Sequence, residues 1–180
     1  MIEIYAGDGK GKTTAAVGMA IRAAGAGLPV LFVQFLKDDS SSEINVLRNV
    51  KGIEVLHAPE TFGFTYQMTE EQREKTACYC EELLGKVLAY ESKMAADTDR
   101  QEPVKCIIIL DEVLHALREG FVTEDSLRRL LEQAKVRSEV ILTGWDIPDW
   151  LEEQADYISR ISKVRHPYDR GMEARRGIEY

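Results

Sequence analysis

One short stretch near the start of the chain, residues 5–14, limits the fold more than any other part of the sequence. It reads YAGDGKGKTT and follows an apolar segment, residues 1–6, that is typical of a short buried strand. The ending Gly-Lys-Thr is typical of a phosphate-binding loop, whose usual pattern is G-x-x-x-x-G-K-[ST]. Here Ala6 stands where that pattern has its first glycine, and the glycine follows at Gly7. The stretch predicts a strand that turns sharply into a helix, with an offset version of the loop between them.

The chemistry of this loop indicates a site for phosphate groups. Three glycines at alternate positions let backbone amides converge on an anion without obstruction by side chains. The first amides of the following helix lack partners within the helix, and the helix dipole attracts negative charge. Lys12 brings a positive charge, Lys10 can bring a second, and Thr13 can offer its hydroxyl to Mg²⁺. We expect a nucleoside triphosphate to contact Gly7, Asp8, Gly9, Lys10, Gly11, Lys12, Thr13 and Thr14. An ordinary glycine-rich turn is the alternative.

A second stretch, residues 106–112, ends an apolar strand in two carboxylates. It reads CIIILDE. Because ligands of parallel sheets bind beyond the carboxyl ends of the strands, we expect Asp111 and Glu112 at the same edge as the loop. A carboxylate there can hold Mg²⁺, directly or through water, or orient a reacting group. The sequence predicts a metal site formed by Thr13, Asp111 and Glu112; the alternative is a carboxylate pair with a structural role only.

The remaining segments predict alternating strands and helices. Strands are predicted at residues 1–6, 29–36, 52–57, 104–110, 140–143 and 157–163. Helices are predicted at residues 13–24, 43–49, from Thr69 to about Ala96, 113–118, 124–135 and 150–154. Two pairs, Ser40 with Glu43 and Thr69 with Gln72, have the spacing of a capping box. The pattern predicts an α/β fold: a mostly parallel sheet flanked by helices on both faces, like P-loop NTPases of the RecA-like type, in a single domain of residues 1–180.

Composition argues against several other classes of protein. The net charge of −8 argues against a broad nucleic-acid surface, which needs clustered basic residues. Three cysteines without a regular framework argue against a disulfide scaffold, and we expect free thiols that are buried or half-buried. Since no apolar run reaches the length of a membrane span and no signal peptide precedes the first strand, we expect a cytoplasmic protein without a membrane partner.

Six motifs, spread from one end of the chain to the other, match one known family in sequence and order. They are Gly7–Ala16, Val33–Lys37 (VQFLK), Gly63–Tyr66 (GFTY), Ile109–Glu112 (ILDE), Leu142–Trp145 (LTGW) and Arg165–Tyr180. With them, the sequence resembles the phosphate-loop type of ATP:cob(I)alamin adenosyltransferases, also called corrinoid adenosyltransferases. The offset glycine of the loop is a trait of this family. The sequence differs from the family pattern at Tyr66, where Trp is usual, and at Trp145, where Arg is usual.

The resemblance implies a reaction, its participants and roles for particular residues. A Co(I) corrinoid attacks the 5′ carbon of ATP and expels the whole triphosphate, so no catalytic base is required. The implied catalytic residues are Lys12 and Glu112, and Phe64 and Tyr66 are implied to border the corrinoid. The implied cofactor is Mg²⁺, with ATP as co-substrate. The implied partners are a reduced corrinoid, an electron-donating flavoprotein or similar reductase, and a second copy of the chain in a homodimer.

Two other functions use the same loop and stay open at the level of sequence. A small P-loop kinase or NTPase would cut the phosphate chain, and it would need a base or a positioned water. A non-catalytic module could bind nucleotide and corrinoid without turnover. The phosphate products separate the two enzymes, and tight ATP binding without any turnover would indicate the third function.

Overall fold

The structure, a computed structural model, describes residues 1–38, 40–96 and 106–178, and a parallel β-sheet forms its centre. Within these ranges the sheet has six strands in the order β3-β2-β4-β5-β1-β6, and each pair of neighbours is parallel. The strands are β1 (Ile2–Ala6), β2 (Val30–Gln34), β3 (Ile53–His57), β4 (Cys106–Asp111), β5 (Ser138–Gly144) and β6 (Tyr157–Arg160). This arrangement confirms the predicted α/β class.

Helices cover both faces of the sheet. They are α1 (Lys12–Gly25), α2 (Ser42–Leu47), α3 (Glu70–Ala96), α4 (Val113–Arg118), α5 (Glu124–Ala134) and α6 (Asp149–Glu152). Short 3₁₀ turns lie at Thr65–Gln67 and Pro167–Arg170. Buried side chains of α1 and α2 pack on one face, and those of the other four helices pack on the opposite face.

Strand β2 shows how the sequence builds these two cores. Its side chains alternate between faces with the period of two that a strand imposes. Val30 and Phe32 join the core under α1 and α2, whereas Leu31 and Val33 join the core on the other face. Each such buried side chain stabilises the fold by about 1.5–3 kcal/mol relative to an exposed one. A strand covered on both faces therefore appears in the sequence as a continuous apolar run.

Strand register brings the chemically important loops to one edge of the sheet. Ala6 at the end of β1 lies beside Gly144 at the end of β5. Gln34 at the end of β2 lies beside Asp111 at the end of β4. The segments that follow these four strands, including the glycine-rich loop, therefore start from the same carboxyl edge.

One of the two predicted capping boxes is confirmed and the other is wrong. At the start of α3, the Thr69 amide donates to Gln72 Oε1 at 2.9 Å and the Gln72 amide donates to Thr69 Oγ1 at 3.3 Å. Helix α2 instead begins after Ser41, which makes no side-chain cap. Glu43 does not reach back along its helix, because its Oε1 accepts a hydrogen bond from Gln34 Nε2 at 2.9 Å.

Two predicted strands end earlier than the sequence suggests. Strand β2 stops at Gln34 because Leu36 adopts a left-handed backbone conformation, with φ of 58°, that leaves the sheet. Strand β6 stops at Arg160, since the Ile161 carbonyl contacts the glycine-rich loop. The predicted strand 104–110 is described from Cys106 onward, and residues 104 and 105 lie outside the described residues.

None of the three cysteines forms a disulfide, as predicted, but the expectation that all are buried or half-buried is wrong for Cys78. Cys80 and Cys106 are buried, while Cys78 faces solvent because residues two apart in α3 point to different sides of the helix. Burial raises the pKa of the Cys80 thiol to about 12.

The described part of the chain holds no helix that is both long and apolar enough to cross a membrane.

Candidate active site

The glycine-rich loop joins β1 to α1 and surrounds the side chain of Lys12. Gly11 precedes the first helical residue with φ of 121°, a conformation that favours glycine, and a Cβ atom there would meet nothing within 4 Å. Lys12 is 9% exposed, and its ammonium donates to the Gly7 carbonyl at 2.7 Å and the Gly9 carbonyl at 2.9 Å. The loop therefore brings a helix amino end and a lysine together, an arrangement that favours anions, while its contact with phosphate stays a prediction.

Gly7 and Gly9 also have a reason to be glycine that sequence reasoning did not find. The chain after β6 packs directly against the loop, and the Gly9 amide donates to the Ile161 carbonyl at 2.8 Å. A Cβ atom on Gly9 would lie 2.8 Å from that carbonyl oxygen, and one on Gly7 would overlap it more severely. Close packing of residues 161–162 therefore requires glycine at both positions, whereas clearance for an anion there stays a prediction.

Asp8 uses its carboxylate in the same contact. Its Oδ1 accepts a hydrogen bond from the Lys163 amide at 2.8 Å. That hydrogen bond holds the pKa of Asp8 below its ordinary value, with smaller help from the charges of Lys163 and Lys12. Asp8 was predicted as a nucleotide contact; in the structure its side chain fixes the chain after β6 against the loop.

We expect Gly9→Ala to destabilise the fold by about 1–3 kcal/mol, because the added methyl group would force the loop away from Ile161. Thermal unfolding followed by circular dichroism measures the effect. Gly18→Ala is the matched control: Gly18 is exposed within α1 and a Cβ atom there meets open space. It should raise stability by roughly 0.5–1 kcal/mol, since glycine disfavours helix. A Gly9→Ala protein that melts at or above the wild-type temperature would contradict the packing account.

Asp111 is the centre of a buried hydrogen-bond network at the end of β4. Its Oδ1 accepts from Thr143 Oγ1 at 2.8 Å and from Thr13 Oγ1 at 2.9 Å. Its Oδ2 accepts from Lys37 Nζ at 3.3 Å and from Gln34 Nε2 at 3.4 Å. Complete burial raises the pKa of Asp111, and the Lys37 ammonium and the two threonine hydroxyls oppose that rise. The structure thus brings the loop residue Thr13 onto the strand-end carboxylate, as the sequence predicted.

Glu112 follows in an unusual backbone conformation, with φ of 64°. A left-handed conformation costs a residue other than glycine about 1–2 kcal/mol. The Glu112 amide donates to Thr143 Oγ1 at 2.8 Å, which helps hold that conformation. Burial alone would raise the pKa of Glu112, but a hydrogen bond from His115 and the charges of Lys37 and Lys12 outweigh burial and lower it. Glu112 is therefore ionised near neutral pH and lies within the field of both lysines.

Sequence reasoning missed three polar residues that complete this network: Gln34, Lys37 and Thr143. Gln34 is fully buried and is the single polar residue of β2. Each of the three lies at or just after the carboxyl end of a parallel strand, which is the position where ligand sites form. That position is the sequence signal that could have found them.

Charge around the site is mixed rather than simply basic. Burial lowers the pKa of Lys12, although Glu112 and Asp111 act in the opposite direction. Burial also acts to lower the pKa of Lys37, but the Asp111 carboxylate, followed by Glu112 and Glu43, outweighs burial and raises it. Both lysines therefore face carboxylates at the same edge of an acidic protein.

Trp145 stands directly after β5 and faces the loop lysine. The Lys12 ammonium lies 5.8 Å from the centre of the Trp145 ring, a separation at which a cation and an aromatic face attract each other. The Arg118 guanidinium lies at the same distance from that ring. The tryptophan that replaces the usual arginine of the resembled family thus lies beside the loop.

Phe64 and Tyr66 form a separate cluster after β3. Their rings stack with centres 5.5 Å apart and planes inclined by 22°, and they are 67% and 77% exposed. Strand β3 is at the outer end of the sheet, two places from β4, so the pair is set apart from Asp111. Two adjacent aromatic rings left in solvent are available to contact a ligand, rather than being consumed by packing in the core.

Fold and site together define a phosphate-loop nucleotide-binding α/β protein. Structural similarity extends to EssC (ATPases 2 and 3) from Geobacillus thermodenitrificans, with a TM-score of 0.53 and 16% sequence identity. That similarity covers 98% of this chain and 34% of the EssC chain. At such low identity the similarity establishes the fold alone.

The sequence places the chain in a particular family. Residues 1–180 match the model of the family described as ATP:corrinoid adenosyltransferase BtuR/CobO/CobP, and the chain belongs to this family. It is similar to the corrinoid adenosyltransferase of Escherichia coli K12, with 29% identity over all of this chain and 85% of that protein. It is also 30% identical to corrinoid adenosyltransferase CobA of Salmonella typhimurium LT2, again over all of this chain and 85% of the relative.

Proposed function

We propose that the protein transfers the 5′-deoxyadenosyl group of ATP to the Co(I) atom of a corrinoid and releases triphosphate. The observation that carries the proposal is the family match over the whole chain, joined to a site in which Thr13 bonds to Asp111 and the adjacent Lys12 is held by the glycine-rich loop. A single assay tests it directly. With ATP, Mg²⁺ and chemically reduced corrinoid, the absorption spectrum should change to that of the adenosylated corrinoid, and an unchanged spectrum would contradict the proposal.

The proposed reaction requires charge stabilisation rather than proton transfer. The Co(I) centre supplies the electron pair of the new cobalt–carbon bond, and the bond between the 5′ carbon and its oxygen breaks. The released electron pair leaves with the triphosphate, whose bridging oxygen becomes more negative. In this proposal the backbone amides at the amino end of α1 and the Lys12 ammonium stabilise that charge, and the position of Lys12 in the first turn of the helix supports the role.

The side chains at the end of β4 fit Mg²⁺. Magnesium in nucleotide sites is held by one or two carboxylates, with phosphate oxygens and waters completing the octahedron. The Thr13 hydroxyl and the Asp111 carboxylate are in contact at 2.9 Å, and Glu112 adds an ionised carboxylate beside them. We propose that these three residues hold the ion, directly or through water. When bound, it would neutralise charge on the triphosphate.

We assign the exposed ring pair, Phe64 and Tyr66, to the corrinoid. An apolar wall beside the corrinoid can exclude a polar axial ligand, which makes reduction of Co(II) to Co(I) easier. The exposure and mutual stacking of the two rings support the assignment.

We also propose that the electron for reduction comes from a flavoprotein or similar reductase. We further propose that the protein is a homodimer in the cytoplasm, where thiols such as Cys80 stay reduced.

We expect Phe64→Ala and Tyr66→Ala to slow the reaction more when Co(II) must be reduced on the enzyme than when free Co(I) is supplied. The reason is that both rings act on the axial ligand and not on ATP. Parallel rate measurements with the two starting corrinoids test this. Val136→Ala, which changes another exposed side chain just before β5 at the opposite edge of the sheet, should leave both rates unchanged. Equal losses in both assays would argue against the assignment.

A further inference from the structure

A cavity of about 270 Å³ opens beside the first turn of α1 and receives the side chain of Lys37. Thr13 and Thr14 line the cavity from the helix, while Lys37 and Ser41 line it from the segment after β2. The cavity therefore adjoins the amino end of the helix, where a phosphate chain would lie.

Lys37 is held at this cavity by the buried carboxylate of Asp111. Its ammonium lies 3.3 Å from Asp111 Oδ2, and the Thr13 hydroxyl contacts the same oxygen at 3.2 Å. The Lys37 side chain is 32% exposed. Its ammonium can therefore move from Asp111 to another partner without leaving a fully buried site. The lysine and the loop hydroxyl are thus immediate neighbours.

Backbone geometry explains why Lys37 reaches the site. Leu36 is one of two residues other than glycine with positive φ in the described part of the chain, and the second is Glu112. The left-handed turn at Leu36 takes the chain out of β2 and over the carboxyl edge of the sheet. Strained positions of this kind persist where the surrounding structure or function requires them. Glu112 directly follows Asp111, and Leu36 directly precedes Lys37, whose ammonium contacts Asp111.

The two lysines approach the site from opposite sides. Strand order places β4, which carries Asp111, between β2 and β5. Lys37 follows β2, whereas the ammonium of Lys12 lies against Trp145, which follows β5. We propose that Lys37 is a second triphosphate-binding lysine, which contacts the phosphate chain of ATP from the β2 side while Lys12 contacts it from the β5 side.

At this edge of the sheet, the positive charge of Lys37 can offset the repulsion between nearby carboxylates and a bound polyphosphate. The carboxylates of Asp111, Glu112 and Glu43 all act on Lys37 and would repel a polyphosphate that approached without compensation. A lysine ammonium is a compact point charge that binds phosphate well. On nucleotide binding Lys37 exchanges part of its contact with Asp111 for a phosphate oxygen. This role rests on the proposed nucleotide site but does not depend on the corrinoid chemistry.

Calorimetric titration with inorganic triphosphate, in the presence of Mg²⁺, tests the proposal on Lys37→Met. We expect its affinity for triphosphate to fall roughly 10- to 100-fold. Affinity for adenosine, which lacks phosphate, should not change. Lys37→Arg keeps the positive charge and should recover most of the lost affinity. The matched control is Lys51→Met, since Lys51 is exposed in the turn before β3, at the opposite edge of the sheet. It should bind triphosphate within twofold of wild type.

Two outcomes would overturn the proposal. One is triphosphate binding by Lys37→Met within twofold of wild type. The other is an equal loss of triphosphate and adenosine binding with a lowered unfolding temperature, together with no recovery in Lys37→Arg, which would assign Lys37 to the support of Asp111. Failure of the proposed function is distinguishable, because a wild-type protein that binds triphosphate through Lys37 but never adenosylates corrinoid would contradict only the reaction.

Discussion

Lys12→Ala is expected to remove most ATP binding and nearly all turnover. The ammonium of Lys12 is buried in the loop and aligned by two carbonyls, so its positive charge is fixed at the amino end of α1, where the phosphate chain is proposed to bind. A hydrogen bond to a charged group is worth roughly 1.5–3 kcal/mol, which corresponds to a loss of about 10- to 150-fold in ATP affinity. The rate should fall further, by roughly 10²- to 10³-fold, since charge grows on the leaving triphosphate in the transition state.

Calorimetry with ATP and the corrinoid spectral assay measure the two effects of Lys12→Ala separately. Lys86→Ala is the control, because Lys86 is exposed on α3 and its replacement removes an equal charge. It should leave ATP affinity and rate unchanged. If Lys12→Ala folds normally and binds ATP with near wild-type affinity, Lys12 does not belong to the site.

Asp111→Asn is expected to lower both stability and activity. The amide keeps the size of the carboxylate, but one of its two ends is now a donor. At the position of Oδ2 that donor would face two others, Lys37 Nζ and Gln34 Nε2. Breaking a fully buried ion pair costs about 3–5 kcal/mol. Because Lys37 is a third exposed, we expect about 2–3 kcal/mol, or a melting temperature roughly 5–10 °C lower.

Activity of Asp111→Asn should show a weakened response to Mg²⁺, measured as the rate over a range of Mg²⁺ concentrations. Asp146→Asn is the matched control: its carboxylate is 75% exposed and pairs with Arg118 at 3.3 Å on the surface. Exposed pairs contribute about 0–1 kcal/mol, so this variant should melt close to wild type. An Asp111→Asn protein with an unchanged melting temperature and an unchanged Mg²⁺ dependence would show that Asp111 contributes neither to stability nor to Mg²⁺ binding.

Most of the fold could be predicted because buried strands and an Ala-rich helix leave clear patterns. The runs in β2 and β4 are apolar on both faces, which is typical of strands in a parallel sheet covered on both sides. In α1 the small side chains of Ala16, Ala20 and Ala23 share one face and all are buried. The order of the strands could not be read in the same way, since it depends on contacts between segments far apart in the chain.

Predictions of local structure were wrong where a side chain bonds to a residue of another strand or helix instead of to a neighbour in the sequence. The spacing of Ser40 and Glu43 predicts a capping box, yet Glu43 bonds to Gln34 on β2 instead. Leucine and glutamate carry no signal for a left-handed conformation, so the turns at Leu36 and Glu112 were invisible in the sequence. The contribution of Lys37 was missed for the same reason, because only that turn brings it to Asp111.

Some contacts of the candidate site could be predicted from the sequence, and others could not. Thr13 and Asp111 could be paired from the sequence, because a phosphate loop and a strand-end carboxylate share one edge in this fold. The contact of Asp8 with Lys163 could not, since the two residues are 155 positions apart. The assignment of Phe64 and Tyr66 to a corrinoid came from resemblance, and their exposure supports it while their role stays a prediction.

Phosphorus NMR of the reaction products tests the central claim most directly. Attack at the 5′ carbon breaks a carbon–oxygen bond, so the phosphate chain stays whole and inorganic triphosphate should appear in equal amount with adenosylated corrinoid. A kinase or ATPase with the same loop would cut at the γ-phosphorus and yield ADP. Formation of ADP without corrinoid, at an ordinary enzymatic rate on the order of 1 per second or more and with no triphosphate, would contradict the proposed reaction.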